Sequence, residues 1–555
     1  MRALRNFVFA LLPALGLLGV FALGFLGDPE NDPWLNASPL WGPGDPFYSP
    51  DPESAHALAD PALIWRGRPR YEGVIRYLEA GIRDPYRTNA QGFRDDEILD
   101  PKPAGTVRVV NLGDSATWGL NLRSPADTYS GHLQRILGSD FDVVNAGVVG
   151  YSSFQGCQFV RHGLARLDPD VVTAYFGNND PSPSSLKDAA RAAAAAGPLH
   201  GLLARNRFYL LLTKGLLHLR AARLDRDRGA LGLLGAEQSR EAYYRAGARV
   251  SPEEYEDNLR KIVSGAREAG SRPILLKIPT NLFWPPRVRP FADQVLRPTR
   301  YWAALKIEPG YLARTRSGRP ACLKAPVEGH PYLCRVTAHD LKRAGLPSAA
   351  ELSAQTEDPD LDAPERLRAA HNAAVRSLVE GDGLEARRRL DAMIAAASAC
   401  DCVAPKDLAW AYYNRGVARF QLGEAQAAFE DLRASRGVWP FAMSPDYDAR
   451  FDRVVRELDV EWIDLPRRFA EQDPRFAGSA LILDWVHPDS RGGAVIAEAL
   501  AERLATGERT PPGANRPGKG DLGSRMGRDA PASAQRKRAQ QGAQREAARG
   551  DARLG

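Results

Sequence analysis

Four short blocks carry the residue types that acyl chemistry needs. Gly113-Asp114-Ser115 puts a hydroxyl directly after a short apolar run. A serine that ends a strand and opens a helix exposes its oxygen beside backbone N–H groups, a posture suited to a nucleophile. The alternative is that Ser115 only caps the helix. Asn145-Ala146-Gly147-Val148-Val149-Gly150-Tyr151-Ser152-Ser153 follows a second apolar run, and Gly177-Asn178-Asn179-Asp180 follows a third. Far downstream, Asp484-Trp485-Val486-His487-Pro488 sets a carboxylate and an imidazole three residues apart. A serine hydroxyl becomes a competent nucleophile when a neutral imidazole takes its proton and a carboxylate fixes the imidazole tautomer. Taken singly, Asp484 and His487 could cap a helix, and Asn179-Asp180 could be a turn.

The elements that must position these blocks alternate in type. Residues 107–112, 141–145, 171–176 and 273–279 are short apolar runs. The stretches 129–137 and 253–269 between them read as helices. Strand and helix in this rhythm predict a parallel sheet covered by helices, with a site beyond the carboxyl ends of its strands.

In that order and at those strand ends, the four blocks resemble the SGNH hydrolases, the superfamily of GDSL-type lipases and esterases. The resemblance covers residues 105–282 and 462–504. It implies an α/β fold, a flavodoxin-like three-layer α/β/α sheet, that hydrolyses or transfers acyl groups without metal or other cofactor. Carried over by position, it implies Ser115 as nucleophile, His487 as general base and Asp484 as the group orienting it. The Ser115 region, the Gly150 backbone N–H and the Asn179 side-chain amide would form the oxyanion hole. Ala116 stands where the family's namesake motif has leucine, and Thr117 follows it; Asn178 doubles the asparagine, so Asn179 is assigned by its distance to Asp180.

Outside those blocks the chain divides further. Residues 7–27 form an uncharged apolar run after Arg2 and Arg5, and Asp28, Glu30 and Asp32 follow it. Twenty-one residues are enough to cross a bilayer core of roughly 30 Å. The flanking charges predict a single-pass anchor with its N-terminus cytoplasmic and the catalytic domain extracytoplasmic, on the periplasmic side. A cleaved signal peptide is the competing reading and exports the rest equally. Residues 28–104 read as a membrane-proximal stalk and lead-in, irregular as far as about residue 70. The hydrolase domain is then expected in two parts, 105–284 and 451–505, separated by an insertion at 285–450.

Within the insertion, Ala374, Gly381, Ala386 and Leu390 recur 42 residues later as Gly416, Gly423, Ala428 and Leu432. Residues 364–440 therefore resemble tetratricopeptide-repeat (TPR) helical hairpins, which would serve either as cover for the main domain or as a surface for a protein partner. The 506–555 tail holds eleven Lys and Arg against five Asp and Glu, which accounts for the whole net charge of +6. The remainder is balanced, so no nucleic-acid-binding core is expected. The tail's composition predicts disorder. Cys322 and Cys334 are spaced for a disulfide in an oxidising compartment, and neither they nor Cys400 and Cys402 have the spacing of a zinc site.

These readings converge on a membrane-anchored, extracytoplasmic serine esterase acting on an O-acyl ester of a small molecule or glycan. Two alternatives stay open: an O-acyltransferase acting on an envelope polysaccharide, and a non-catalytic assembly factor working through the TPR-like insertion.

Overall fold

The computed structural model describes, with short gaps, residues 57–195, 247–283 and 348–506. It also describes strand positions 326–327 and 330–334 and scattered positions within 19–23 and 203–216. Most of the expected anchor, the 506–555 tail beyond its first residue, Asp484 and the proposed Cys322–Cys334 pairing lie outside the described residues. Among the described residues, no helix is long and apolar enough to cross a membrane.

The centre is a five-stranded sheet, all parallel. Its strands are β5 (Val107–Gly113), β6 (Phe141–Gly147), β7 (Val171–Tyr175), β8 (Arg272–Lys277) and β11 (Glu461–Asp464), in the spatial order β6-β5-β7-β8-β11. The first strand lies second from the edge, and the chain then steps across it to build the other side. That is a flavodoxin-like order with its switch point beside β5, where ligand sites of open α/β sheets form.

Strand sequences agree with this placement. Val109, Val110, Leu112, Val143, Val144, Val171, Val172, Ile274, Leu275 and Leu276 are all buried. Continuous rather than alternating burial is what a sheet covered on both faces requires. Right-handed crossovers put the helix after β5 on one face and those after β6 and β7 on the other. Accordingly, helix Tyr129–Leu137 packs on Ser490–Thr506, whereas Pro252–Glu268 packs on Ser153–His162 and on Pro445–Leu458. The last of these helices buries Tyr447, Phe451 and Val454 in the sheet domain's core, so the chain is back in that domain by 445 rather than 451.

Two antiparallel hairpins precede the sheet: β1 (Ala57–Asp60) with β2 (Ile64–Gly67), and β3 (Glu72–Tyr77) with β4 (Ile82–Arg87). The expected irregular chain up to residue 70 is therefore corrected from residue 57 onward. Asp60 closes the first turn by accepting from the Ala62 and Leu63 N–H groups at 2.9 and 2.8 Å. Trp65, 3% exposed, then docks on the loop after β6. That partner lies more than eighty residues away, so local periodicity carries no trace of it. A further short pair, β9 (Pro326–Val327) and β10 (His330–Cys334), stands apart from the sheet.

The insertion contains two consecutive helical hairpins, Ala363–Glu380 with Gly383–Cys400 and Pro405–Gln421 with Ala425–Val438. The repeated positions occupy matching places. Ala374, Ala386, Leu390, Ala428 and Leu432 are buried, and Gly381 and Gly423 both close a helix at φ +89° and +80°. The second hairpin rests on the sheet domain through Leu282, Phe283 and Phe476, which meet Tyr413, Phe429 and Leu432. Phe283 sits edge-on to Phe420 at 4.9 Å and to Phe476 at 5.5 Å.

Candidate active site

Strand β5 delivers Ser115. Asp114 caps the one-turn helix Ser115–Trp118 by accepting from Ala116 N–H at 2.8 Å, which fixes the turn's geometry. Gly113 is required at the bend, because a Cβ there would lie 1.9 Å from Thr117 Oγ1. Ser115 is 7% exposed, and its Oγ lies 2.7 Å from His487 Nε2, across 372 residues of sequence. When that nitrogen is unprotonated, the hydroxyl donates to it.

His487 arrives on a loop rather than on a regular element. An isolated bridge joins Ile482 to Pro488, and Leu483 N–H donates to His487 O at 2.7 Å. Asp489 accepts from Gly492 N–H at 2.8 Å and pairs with Arg491, anchoring the start of helix Ser490–Thr506. On the other side, Asn281 N–H donates to Trp485 O at 3.1 Å. Asn281 O in turn accepts from the buried guanidinium of Arg436 in the second hairpin of the insertion. Tyr413 OH donates to Phe283 O at 2.6 Å beside it. The insertion is thus one residue removed from the loop that carries His487. Burial pushes Arg436 down to about 10.

Asn179 stands at the end of β7. Its Nδ2 donates to Tyr151 O at 3.0 Å and to Asp114 Oδ2 at 3.3 Å, so the amide lies against the residue preceding Ser115. Burial raises Asp114 to about 6, opposed by its bond from Ala116 N–H and by the nearby His487. Asp180 has a different task. It accepts from Ser153 N–H at 3.1 Å and from the Ser153 hydroxyl, tying the β7 turn to the helix after β6, and burial raises it to about 7.

Gly150 belongs to the loop after β6. Val148 N–H donates to Gly113 O at 3.1 Å, which holds this loop against the strand end that bears Ser115. Gly150 has φ +79°, a conformation that favours glycine. The structure therefore brings Ser115 and His487 into hydrogen-bond contact, sets Asn179 against Asp114, and places Gly150 on the adjoining turn. Trp65, Asp188 and Arg249, which surround that turn, carry no motif of their own in the sequence. Arg249 donates to Gly150 O, yet it lies 99 residues further along the chain.

A family model of the GDSL-like lipase/acylhydrolase family matches residues 112–306, a span that takes in Ser115, Gly150 and Asn179 and stops before His487. Similar solved structures include a GDSL-like lipase from Bacteroides thetaiotaomicron, at 14% identity and a TM-score of 0.18 over 33% of this chain and 55% of that one. TesA is similar at 17% identity and a TM-score of 0.19, over 52% of this chain and 99% of that one. The chain thus spans about half the length of the Bacteroides lipase. No curated protein matches. Over residues 112–306, under half of the chain, the sequence is similar to the GDSL-like lipase/acylhydrolase family, and that span includes three strands of the parallel sheet and part of its first.

Proposed function

We propose that this chain is a serine esterase that hydrolyses an O-acyl ester through an acyl-enzyme on Ser115. The observation that carries this reading is the 2.7 Å contact between Ser115 Oγ and His487 Nε2. In the first half-reaction Ser115 Oγ attacks the ester carbonyl carbon while His487 takes its proton. The tetrahedral oxyanion accepts from Gly150 N–H and Asn179 Nδ2. The longer of the two Asn179 bonds, at 3.3 Å to Asp114, is the one an oxyanion displaces. Collapse breaks the bond to the alcohol, which leaves with the proton from His487. Water, deprotonated by His487, then attacks the acyl-enzyme and regenerates Ser115. Asp484 is assigned to the second imidazole nitrogen. The reading includes an N-terminal anchor at 7–27 and an extracytoplasmic site, on the strength of the charge pattern around that run.

The test is hydrolysis of a short activated ester. Wild type is expected to turn it over, and Ser115→Ala is expected to lose a factor on the order of 10⁴ or more in kcat, because nucleophile and base act as a unit. A folded wild type no faster than Ser115→Ala contradicts the reading.

A further inference from the structure

The turn that carries Gly150 is held from outside by two side chains that the esterase reading does not use. The Trp65 indole Nε1–H donates to Val149 O at 3.2 Å, and Arg249 Nη1 donates to Gly150 O at 2.6 Å. These carbonyls belong to the two consecutive peptide planes on either side of Gly150. Both peptides are trans, so C=O and N–H point in opposite directions in each plane. Fixing Val149 C=O on the indole therefore fixes Gly150 N–H on the side away from it. A flip of that peptide would set the Gly150 N–H donor against the indole donor and forfeit the bond.

The clamp is itself rigid. Arg249 donates to buried Asp188 through Nε at 3.1 Å and Nη2 at 2.8 Å, and through Nη2 to Gln155 Oε1 at 2.8 Å. Its guanidinium lies 5.1 Å from the centre of the Trp65 ring. Asp188 also accepts from Ser152 Oγ at 2.6 Å, which ties the far end of the turn to the same carboxylate. Trp65 is held in turn by Tyr151 OH, which donates to Trp65 O at 2.9 Å. A Cβ on Gly150 would lie 3.3 Å from Trp65 Cζ2, so the ring rests directly on the glycine.

We propose that Trp65 and Arg249 are positioning residues that hold the Gly150 N–H in the direction required of an oxyanion donor. The proposal rests on the serine-esterase reading and names how its oxyanion hole is kept formed before substrate arrives. Neither side chain is needed for attack by Ser115 or for proton transfer by His487.

The experiment measures kcat and KM of the full-length protein on a short activated ester. For wild type and the Trp65 and Arg249 variants, kcat is expressed per active site counted by burst titration; the wild-type and Ser115→Ala rates are compared per mole of protein. Wild type, Ser115→Ala, Trp65→Phe, Arg249→Met and Arg249→Lys are compared. Trp65→Phe keeps an apolar ring and removes the indole donor; Arg249→Lys keeps a donor for Gly150 O. Deleting a whole oxyanion donor costs about 10²–10³ in kcat, so loosening one is expected to cost about 10–100-fold. KM should stay within about twofold, and the pH profile should not move, because the loss falls on the transition state. Arg249→Lys should retain more kcat than Arg249→Met. A purely structural role would lower the number of titrated sites and leave kcat per site unchanged, and that result overturns the proposal. If Trp65→Phe does not fold, the ordering of the two Arg249 variants decides: equal, wild-type kcat in both overturns the clamp. Equal rates in wild type and Ser115→Ala overturn the esterase reading and the clamp with it, whereas an active wild type with unaffected clamp variants overturns the clamp alone.

Discussion

The two halves of the Ser115–His487 pair are supported in different ways. Ser115, Gly150 and Asn179 sit on the turns after β5, β6 and β7, three adjacent strands locked in register by their own hydrogen-bond ladders. Their relative positions follow from strand ends, and a glycine-rich turn after each strand is enough to aim them. His487 instead rides an irregular loop, reached only after the helical insertion and pinned by contacts from several elements. One of those contacts, Asn281 to Trp485, continues through Arg436 into the insertion. Preorganisation comes from the sheet on one side of the site and from tertiary docking on the other. A disturbance of the insertion should therefore reach His487 before it reaches Ser115.

Two substitutions sharpen this comparison. Asn179→Ala removes a donor from the sheet side and leaves the His487 loop untouched. Its kcat on a short ester is expected to fall about 10²–10³-fold with KM nearly unchanged. An equal loss through KM would instead place Asn179 in ground-state binding. Arg436→Met acts on the other side. It leaves Asn281 O without this partner and should cost about 1–3 kcal/mol of stability, read as a lower melting temperature. With His487 less firmly held, kcat should drop by roughly tenfold or less at temperatures where the variant is folded. If melting falls and kcat does not, the insertion stabilises the fold without positioning His487.

The same division explains what the sequence made legible. Strands β5 to β8 announce themselves as short apolar runs because both of their faces are buried, and the turns after the first three carry recognisable blocks. The fifth strand, Glu461–Asp464, passes unnoticed. Four residues at a sheet edge, with two charges among them, show no apolar run and become a strand only by pairing with β8. Residues 57–70 read as irregular because Asp60, Pro61 and Pro69 interrupt the pattern, while the contacts that order Trp65 lie in the loop after β6. Arg249 is equally silent in the sequence, since its carboxylate partner Asp188 is 61 residues away. The 42-residue recurrence in the insertion is visible because each hairpin buries small residues at matching places, such as Ala374 and Gly416; a Cβ on Gly416 would lie 2.9 Å from Leu432 Cγ. What the recurrence could not reveal is that the second hairpin rests on Phe283, beside the residue that touches the His487 loop.

The central claim is that Ser115 is made nucleophilic by His487. It is tested most directly by reaction with an organophosphonate that labels activated serines, followed by intact mass measurement and peptide mapping. Wild type is expected to gain a single phosphonyl group on Ser115, and His487→Ala to be labelled slower by a factor on the order of 10³ or more. Labelling should weaken as acid protonates the imidazole, because a protonated ring cannot accept the serine proton. An adduct on a different serine, or equal labelling rates in wild type and His487→Ala, would contradict the claim.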